Sequence, residues 1–312
     1  MGAYNYGLGN KDMARAGHNA LLRNHAGRSF SSIDTLSRRW GRFCEWAKGQ
    51  GIKRMEKIGK ADVVRYGADL ASQVKAGEME ESTAQNYVSA VNTVMEIARG
   101  DKALSASPIG DCGIGKRTGV ATTSRAVGEE EHRQARERLS ERLGALLSLQ
   151  RHLGLRFKES ALLDARRALK QALSERRVRI VDGTKGGRPR IVPIVRAEQV
   201  EILARAAAAQ DGRSMVPKDC LRYVDFQRAC HREYSGWHGE RHAYAQARYE
   251  ALVGAPCPVA AEVKHGKAHH AFLAERLGLS PRQAKSWDLE NRKIIAEELG
   301  HGRIGITNAY LG

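Results

Sequence analysis

The sequence has 312 residues, 42% of them hydrophobic and 28% charged, which is typical of a soluble globular chain long enough for two domains. Lysine and arginine outnumber aspartate and glutamate by 52 to 35, and the resulting net charge of +17, spread over both halves, predicts a polyanionic partner. The sequence has no membrane-length apolar run and no signal region, and its five cysteines are widely spaced; this excludes membrane and secreted classes and predicts a cytoplasmic protein with reduced thiols.

The first hundred residues show helical patterning after a polar beginning. Residues 1–30 are rich in glycine and asparagine, and we predict a mobile arm or a short helix there. Beyond them, apolar side chains recur at spacings of three and four in three successive segments, which predicts a small helical bundle over residues 31–105. Arg38, Arg39 and Arg42 lie on or beside the polar face of its first helix and are candidate contacts to the polyanion.

The helical periodicity then stops, and we predict an interdomain linker over residues 106–128, where glycine, serine, threonine and basic residues dominate. The stretch GDCGIGKRT, residues 110–118, nearly fits the phosphate-binding loop GxxxxGK[ST]. However, Arg117 stands where that loop needs a hydroxyl group, and no apolar strand leads into it. We therefore predict no nucleotide or other cofactor, and we treat Lys116 and Arg117 as linker charges that pass close to a polyanion backbone.

The remaining chain, residues 129–312, reads as a mostly helical domain with one small antiparallel sheet. Two short apolar runs, residues 178–180 and 191–194, flank the glycine-rich stretch DGTKGGRP, a pattern typical of a β-hairpin. Lys185 stands at its tip, where glycine neighbours would let the ammonium group reach into a groove, although an exposed lysine is also common in turns. Arg188 in the same loop is a further candidate contact to the polyanion.

Other basic residues of this domain stand at breaks or on single helix faces. Arg156 follows the helix break at Gly154, and Glu159 shares its face, which also fits an ordinary surface ion pair. His238 and Arg241 are three residues apart on one side of a predicted helix, where such a cluster is unfavourable to bury without an anion. A phosphate group would suit that position.

The closing stretch LGHGRIGITNAYLG contains a histidine and, near its end, a tyrosine that could simply pack as part of a last helical turn. Taken with the preceding motifs, however, the order of side chains resembles the active site of the tyrosine recombinases, the phage integrase family. The resemblance covers residues 129–312 well and residues 30–100 loosely. Its motif residues, in chain order, are Arg156, Lys185, His238, Arg241, His301 and Tyr310.

The resemblance implies a role for each of these side chains. Two guanidinium groups suit the transition state of phosphoryl transfer because each offers paired donors and keeps its charge. A tyrosine phenolate can store the energy of a broken phosphodiester as a covalent ester. The implied roles are phosphate binding for Arg156, Arg241 and His301, proton donation to the departing 5′ oxygen for Lys185, proton acceptance and phosphate binding for His238, and nucleophilic attack for Tyr310.

The same resemblance implies a mainly α fold, in which a helical core-binding bundle precedes an α+β catalytic domain, and a homotetramer acting on two sites in double-stranded DNA. We expect integration and excision of a prophage or other mobile element in the nucleoid, where DNA-bending accessory proteins can take part. A dimer resolvase or DNA invertase of the same chemistry is the alternative. A DNA-binding regulator that kept the fold and lost activity is the alternative from another class.

Three departures from the family pattern stand out. Glu240 replaces the apolar residue that is usual between the histidine and the arginine of the second motif. The interval between Arg241 and His301 is long, so we expect residues 254–289 to be an insertion that contacts DNA or another subunit. Histidines occur in that segment, but no carboxylate or cysteine stands at a useful offset from them, and we predict no metal site. Only two residues follow Tyr310 in the sequence, so we expect the tyrosine helix or the insertion to carry the subunit contacts.

Overall fold

The structure is a computed structural model that describes residues 4–26 and 30–312. It is 64% helical with one two-stranded antiparallel sheet, which confirms the predicted mainly α fold class. The chain forms two compact units, Met1–Thr118 and Gly119–Gly312. Within the described ranges, no helix has both the length and the apolar character needed to cross a membrane.

In its described residues, the first unit is a bundle of four helices around a hydrophobic core. Trp40 and Phe43 are fully buried at its centre, and the indole of Trp40 donates to the carbonyl of Met13 at 2.8 Å. Gly17 makes this packing possible, since a Cβ atom there would lie 2.2 Å from the Trp40 indole nitrogen. The helices of this unit are α1 (Met13–Asn24), α2 (Phe30–Gly49), α3 (Lys60–Lys75) and α4 (Glu81–Arg99), with short 3₁₀ turns at Tyr4–Gly7 and Met55–Lys57.

One sequence prediction for this unit left two alternatives open, and another needs correction. Of the two alternatives for residues 1–30, α1 matches the short helix and not the mobile arm: its apolar side chains at helical spacing are buried in the core, and Asp12 caps its start by accepting from the Arg15 amide. Residues 1–3 and 27–29 of the predicted arm lie outside the described residues. The first part of the predicted linker is also not a free connection, since Cys112 and Ile114 are buried in the same core. Apolar side chains hold this segment although it has no regular secondary structure.

The second unit packs its helices around two hydrophobic cores, one containing the sheet and one containing the C-terminal turn. The sheet pairs Val178 with Val192 and Ile180 with Arg190, and α8 covers it. The elements are α5 (Glu129–Arg138), α6 (Glu141–Leu153), α7 (Phe157–Leu162), α8 (Ala165–Glu175), β1 (Arg177–Ile180), β2 (Arg190–Pro193), α9 (Ala197–Ala209), α10 (Tyr223–Glu233), α11 (Trp237–Val253), α12 (Lys267–Leu277), α13 (Pro281–Glu298) and α14 (Asn308–Leu311), with 3₁₀ turns at Lys185–Gly187 and Ile304–Thr307.

Helix α11 organises the second unit because it is buried along most of its length and packs against α6, α13 and α14. The end of α6, the start of α7, the edge of β2 and the C-terminal turn therefore meet around one helix. Together with α11 itself, which contains His238 and Arg241, these elements carry most of the motif residues.

Candidate active site

The site begins where α6 ends. Gly154 closes that helix in the left-handed conformation, and the chain turns so that Arg156 precedes the first residue of α7. The backbone amide of Arg156 donates to Oε2 of Glu159 at 2.8 Å, and its Nη1 donates to Oε1 at 2.7 Å. Glu159 is fully buried, so this ion pair is a partly buried one and not the ordinary surface ion pair that the sequence also allowed. The carboxylate fixes both the backbone and the side chain of Arg156.

Two further arginines reach the same carboxylate. Nη2 of Arg190 donates to Oε2 of Glu159 at 2.7 Å, and Nη1 of Arg241 lies 3.6 Å from that oxygen. Although burial opposes ionisation, the arginine charges, Arg190 first, hold the pKa of Glu159 below its usual value. Arg156, Arg190 and Arg241 around Glu159 form what we call the arginine cluster. Three guanidinium charges share one carboxylate, which leaves the cluster with an excess of positive charge.

Arg241 has no exposed surface, and the fold itself supplies its partners. Its two terminal nitrogens donate to the backbone carbonyls of Gly154 and Leu299, and its Nε donates to Oη of Tyr310 at 3.4 Å. Burial lowers the pKa of Arg241 to about 10, and the guanidinium therefore stays charged at neutral pH. The phenol oxygen of Tyr310 thus lies directly against a permanent buried cation.

Three histidine rings surround the Tyr310 ring, which is 7% exposed. The ring centroids of His242, His301 and His238 lie 4.5, 5.3 and 5.8 Å from that of Tyr310. Burial and nearby positive charge lower the pKa of His242 to about 4 and that of His301 to about 3. Desolvation, followed by the charges of Arg241 and Arg156, also lowers the pKa of the more exposed His238. At neutral pH the three rings are therefore uncharged.

The tautomer of His301 follows from its partner. Nη2 of Arg241 lies 3.3 Å from Nε2 of His301, and an arginine can only donate, so Nε2 is the acceptor. The neutral ring then carries its proton on Nδ1. That nitrogen is buried and has no hydrogen-bond partner among the described residues. His301 therefore holds an unused donor beside the Tyr310 ring.

The hairpin candidates lie at the edge of this site or beyond it. Lys185 is exposed at the hairpin tip and, within the described part of the chain, makes no hydrogen bond or ion pair, so the structure does not bring it to the arginine cluster. Arg188 is exposed too, but its Nη1 lies 2.9 Å from the position of a Cβ atom at Gly302. It is therefore next to the segment that carries His301.

The first unit carries the other basic candidates. Arg38 is exposed and forms an ion pair with Asp34 one helical turn away. Arg42 is half-buried, donates to the Gln73 side chain at 2.8 Å and lies over the Tyr87 ring, so it already packs within the unit. Arg39 is half-buried, and Lys116 and Arg117 are exposed. A role in DNA binding stays a prediction for all five arginine and lysine side chains.

Sequence reasoning assigned no role to Arg190 or His242. The signal for Arg190 was present, because it shares the alternating inward phase of β2 with Val192 and Ile194, while Ile191 points outward and is 49% exposed. His242 directly follows Arg241 in the sequence, but its packing against the Tyr310 ring depends on the C-terminal turn reaching α11. Nothing in the local pattern indicates that contact.

Comparison with known proteins bears on this arrangement. Residues 115–249 match the model of the integrase family. The matched segment contains Arg156, Lys185, His238 and Arg241, and the geometry adds His301 and Tyr310 from beyond its end. No curated protein sequence matches the chain.

Two solved integrase structures share the fold. A lambda integrase dimer bound to a COC′ core site superposes with a TM-score of 0.52 at 14% identity, covering 88% of this chain and 76% of that one. The Tn1549 transposon integrase in complex with circular intermediate DNA gives a TM-score of 0.55 at 10% identity, covering 96% and 94%. At such identities the likeness establishes the fold alone.

An ion-pair network surrounds the glutamate at the start of α11. Glu240 is fully buried, and its Oε2 accepts from Nη1 of Arg151 at 2.9 Å and lies 3.0 Å from Nδ1 of His132. Arg151 also donates to the carbonyl of Val127. The charged residue thus ties the start of α11 to α5 and α6, in place of an apolar contact.

Proposed function

We propose that the chain is a site-specific DNA recombinase that cuts and rejoins DNA through a 3′-phosphotyrosyl intermediate formed by Tyr310. The observation that carries this proposal is the 3.4 Å separation between Nε of Arg241 and Oη of Tyr310, inside a cluster with excess positive charge. The integrase-family match and the net charge of +17 support the same conclusion.

The excess charge suits both the nucleophile and its target. A phenol loses its proton as it attacks, and adjacent cations stabilise the negative charge that develops. A DNA phosphate placed beside Tyr310 would bring the negative charge that the arginine cluster lacks. In this proposal Arg156 and Arg241 bind the phosphate, and the unused Nδ1 donor of His301 hydrogen-bonds one of its oxygens.

The proposed step transfers the phosphate from the 5′ oxygen of DNA to the phenol oxygen of Tyr310. Tyr310 Oη forms a bond to phosphorus while the bond to the 5′ oxygen breaks, and neutral His238 takes the phenol proton. Lys185 supplies a proton to the departing 5′ oxygen once the hairpin tip has moved toward the DNA. Gly186 and Gly187 have positive φ values beside it, which makes such a movement feasible. A 5′ hydroxyl of another strand then displaces the tyrosine and restores the phosphodiester.

We further propose a homotetramer working on two sites in double-stranded DNA, in the cytoplasm at the nucleoid, assisted by DNA-bending proteins where the sites require them. Integration and excision of a prophage or other mobile element is the setting we favour over dimer resolution or DNA inversion. The basic candidates Arg38, Arg39, Arg42, Lys116, Arg117 and Arg188 would contact the DNA backbone.

The test is a pool of nicked duplexes whose sequence around the nick is randomised, so that cleavage releases a short fragment and traps the covalent adduct. Wild-type protein should give adducts that survive denaturation, and Tyr310→Phe should give none while binding duplex equally well. Tyr223→Phe is the matched control, because Tyr223 is half-buried and its buried hydroxyl has no partner among the described residues. Duplex binding without any wild-type adduct would instead indicate a regulator that kept the fold.

A further inference from the structure

Tyr310 belongs to α14, a helix of only four residues, which we call the tyrosine turn. An isolated helix of this length is unstable, because fixing the backbone of the first turn costs more conformational entropy than its one hydrogen bond offsets. The position of the turn must therefore come from contacts to the rest of the unit. Leu311 supplies one by complete burial in the core, but an apolar contact does not fix the rotation of the turn.

A side chain of α11 holds the backbone of Tyr310 itself. The amide nitrogen of Gln246 donates to the Tyr310 carbonyl at 3.1 Å. Ser124 keeps the Gln246 side chain in this orientation, with its hydroxyl 3.0 Å from the amide nitrogen and 3.1 Å from the amide oxygen. The helix that carries Arg241 is thus connected by a hydrogen bond to the residue whose phenol lies against that arginine.

A second contact holds the first residue of the turn. Nη1 of Arg292 donates to Oδ1 of Asn308 at 3.0 Å. Asp288 orients the guanidinium by accepting from its Nε at 2.9 and 3.0 Å, and the hydroxyl of Tyr249 donates to the same carboxylate. All three supporting residues are at most 4% exposed. The carbonyl of Asn308 also accepts from the amide of Ala121 at 2.9 Å.

We propose that Gln246 and Asn308 are positioning residues that set the placement of Tyr310 against Arg241. This inference rests on the proposed recombinase function and adds to it, since neither side chain contacts the arginine cluster. One hydrogen bond fixes the start of the turn and the other fixes the tyrosine carbonyl, so together they restrain both translation and rotation. An error of about 1 Å in the placement of a reacting group can reduce a rate by about 100-fold.

The experiment measures the first-order rate of adduct formation, at saturating protein, on a nicked duplex selected by the wild type. Gln246→Ala and Asn308→Ala should each slow the reaction by about tenfold, and the double variant by about 100-fold. Affinity for the duplex should not change. Asn308→Asp keeps the acceptor oxygen that faces Arg292 and should react at close to the wild-type rate.

Gln199→Ala is the structural control in the same unit. Its amide donates to the carbonyl of His152 at 2.9 Å, a hydrogen bond of the same kind that does not involve the tyrosine turn. We expect this variant to lose stability and keep the wild-type rate. Wild-type rates for both alanine variants, or an Asn308→Asp variant as slow as Asn308→Ala, would overturn the inference. A wild type that forms no adduct at all would overturn the proposed function, and the inference with it.

Discussion

Replacement of Gly154 by alanine tests how the arginine cluster is built. Gly154 ends α6 with a φ of +60°, and its carbonyl accepts from Nη2 of Arg190 at 3.1 Å and from Nη1 of Arg241. A Cβ atom there would lie 2.5 Å from the ring of Tyr244. That ring is 4% exposed, and its hydroxyl donates to Glu298 at 2.8 Å, so it has little room to move away.

The expected loss has two parts. The left-handed conformation disfavours alanine by about 1–2 kcal/mol, and the forced contact with Tyr244 adds about 1–3 kcal/mol, for a total of about 2–5 kcal/mol. Gly278 is the matched control, because it ends α12 with a φ of +66° and no atom lies within 4 Å of its Cβ position. Gly278→Ala should therefore lose only the first part.

The assay is urea denaturation of both variants, followed by far-ultraviolet circular dichroism, together with adduct formation on the nicked duplex. Gly154→Ala should also be slow to form the adduct, since a shifted carbonyl displaces Arg241, whereas Gly278→Ala should react normally. Equal losses of stability in the two variants would refute the reasoning. They would mean that the Tyr244 ring yields easily and that Gly154 matters only for its backbone angle.

Two further predictions concern buried ionisable side chains in the second unit. Glu240→Gln should reduce the free energy of unfolding by about 3 kcal/mol, because Arg151 loses its buried counter-ion, and an unchanged urea midpoint would contradict this. The free energy of unfolding should also fall as the pH is lowered from 6.5 to 5. In the folded protein, His152 and His242 have pKa values of about 3 and 4, compared with 6.5 for a free histidine. At these two positions, therefore, mainly the unfolded chain takes up protons in this range, which favours unfolding. Each can contribute at most about 1.4 kcal/mol per pH unit, and a urea midpoint that does not change over this range would show that these rings titrate normally.

The helices and the hairpin could be predicted because each depends on local patterning. Apolar spacing of three and four predicted α2, α3 and α4, and the alternating runs on either side of a glycine-rich stretch predicted β1 and β2. Prediction was incomplete or wrong where tertiary contacts outweighed local composition. The polar start of the chain left a mobile arm and a short helix as alternatives for the region of α1. The glycine-rich segment after α4 was predicted as a linker but is held by Cys112, whose sulfur would lie 2.3 Å from a Cβ atom at Gly67.

The candidate site, too, could be predicted from the sequence only in part. The order of the motif residues is visible in the sequence, but the sharing of Glu159 by three arginines is not, because two of them arrive from β2 and α11 only after folding. Arg190 was the residue most open to prediction, through strand alternation. The position of the tyrosine turn was the hardest feature to predict, because it depends on side chains such as Gln246 and Arg292. In the sequence, these two residues look like ordinary polar residues of a helix.

The burial of Arg241 explains why such a site should act on an anion. A fully buried guanidinium that donates mainly to neutral carbonyls loses hydration and gains only part of the charge compensation it needs, and burial accordingly lowers its pKa. Glu159 is already shared with Arg156 and Arg190, so the fold holds these cations in a state that one more negative charge would stabilise. In the proposed reaction, a phosphate in the ground state would supply that charge, and more negative charge would develop as the tyrosine attacks. The same excess of positive charge therefore favours binding and, to a greater extent, the transition state.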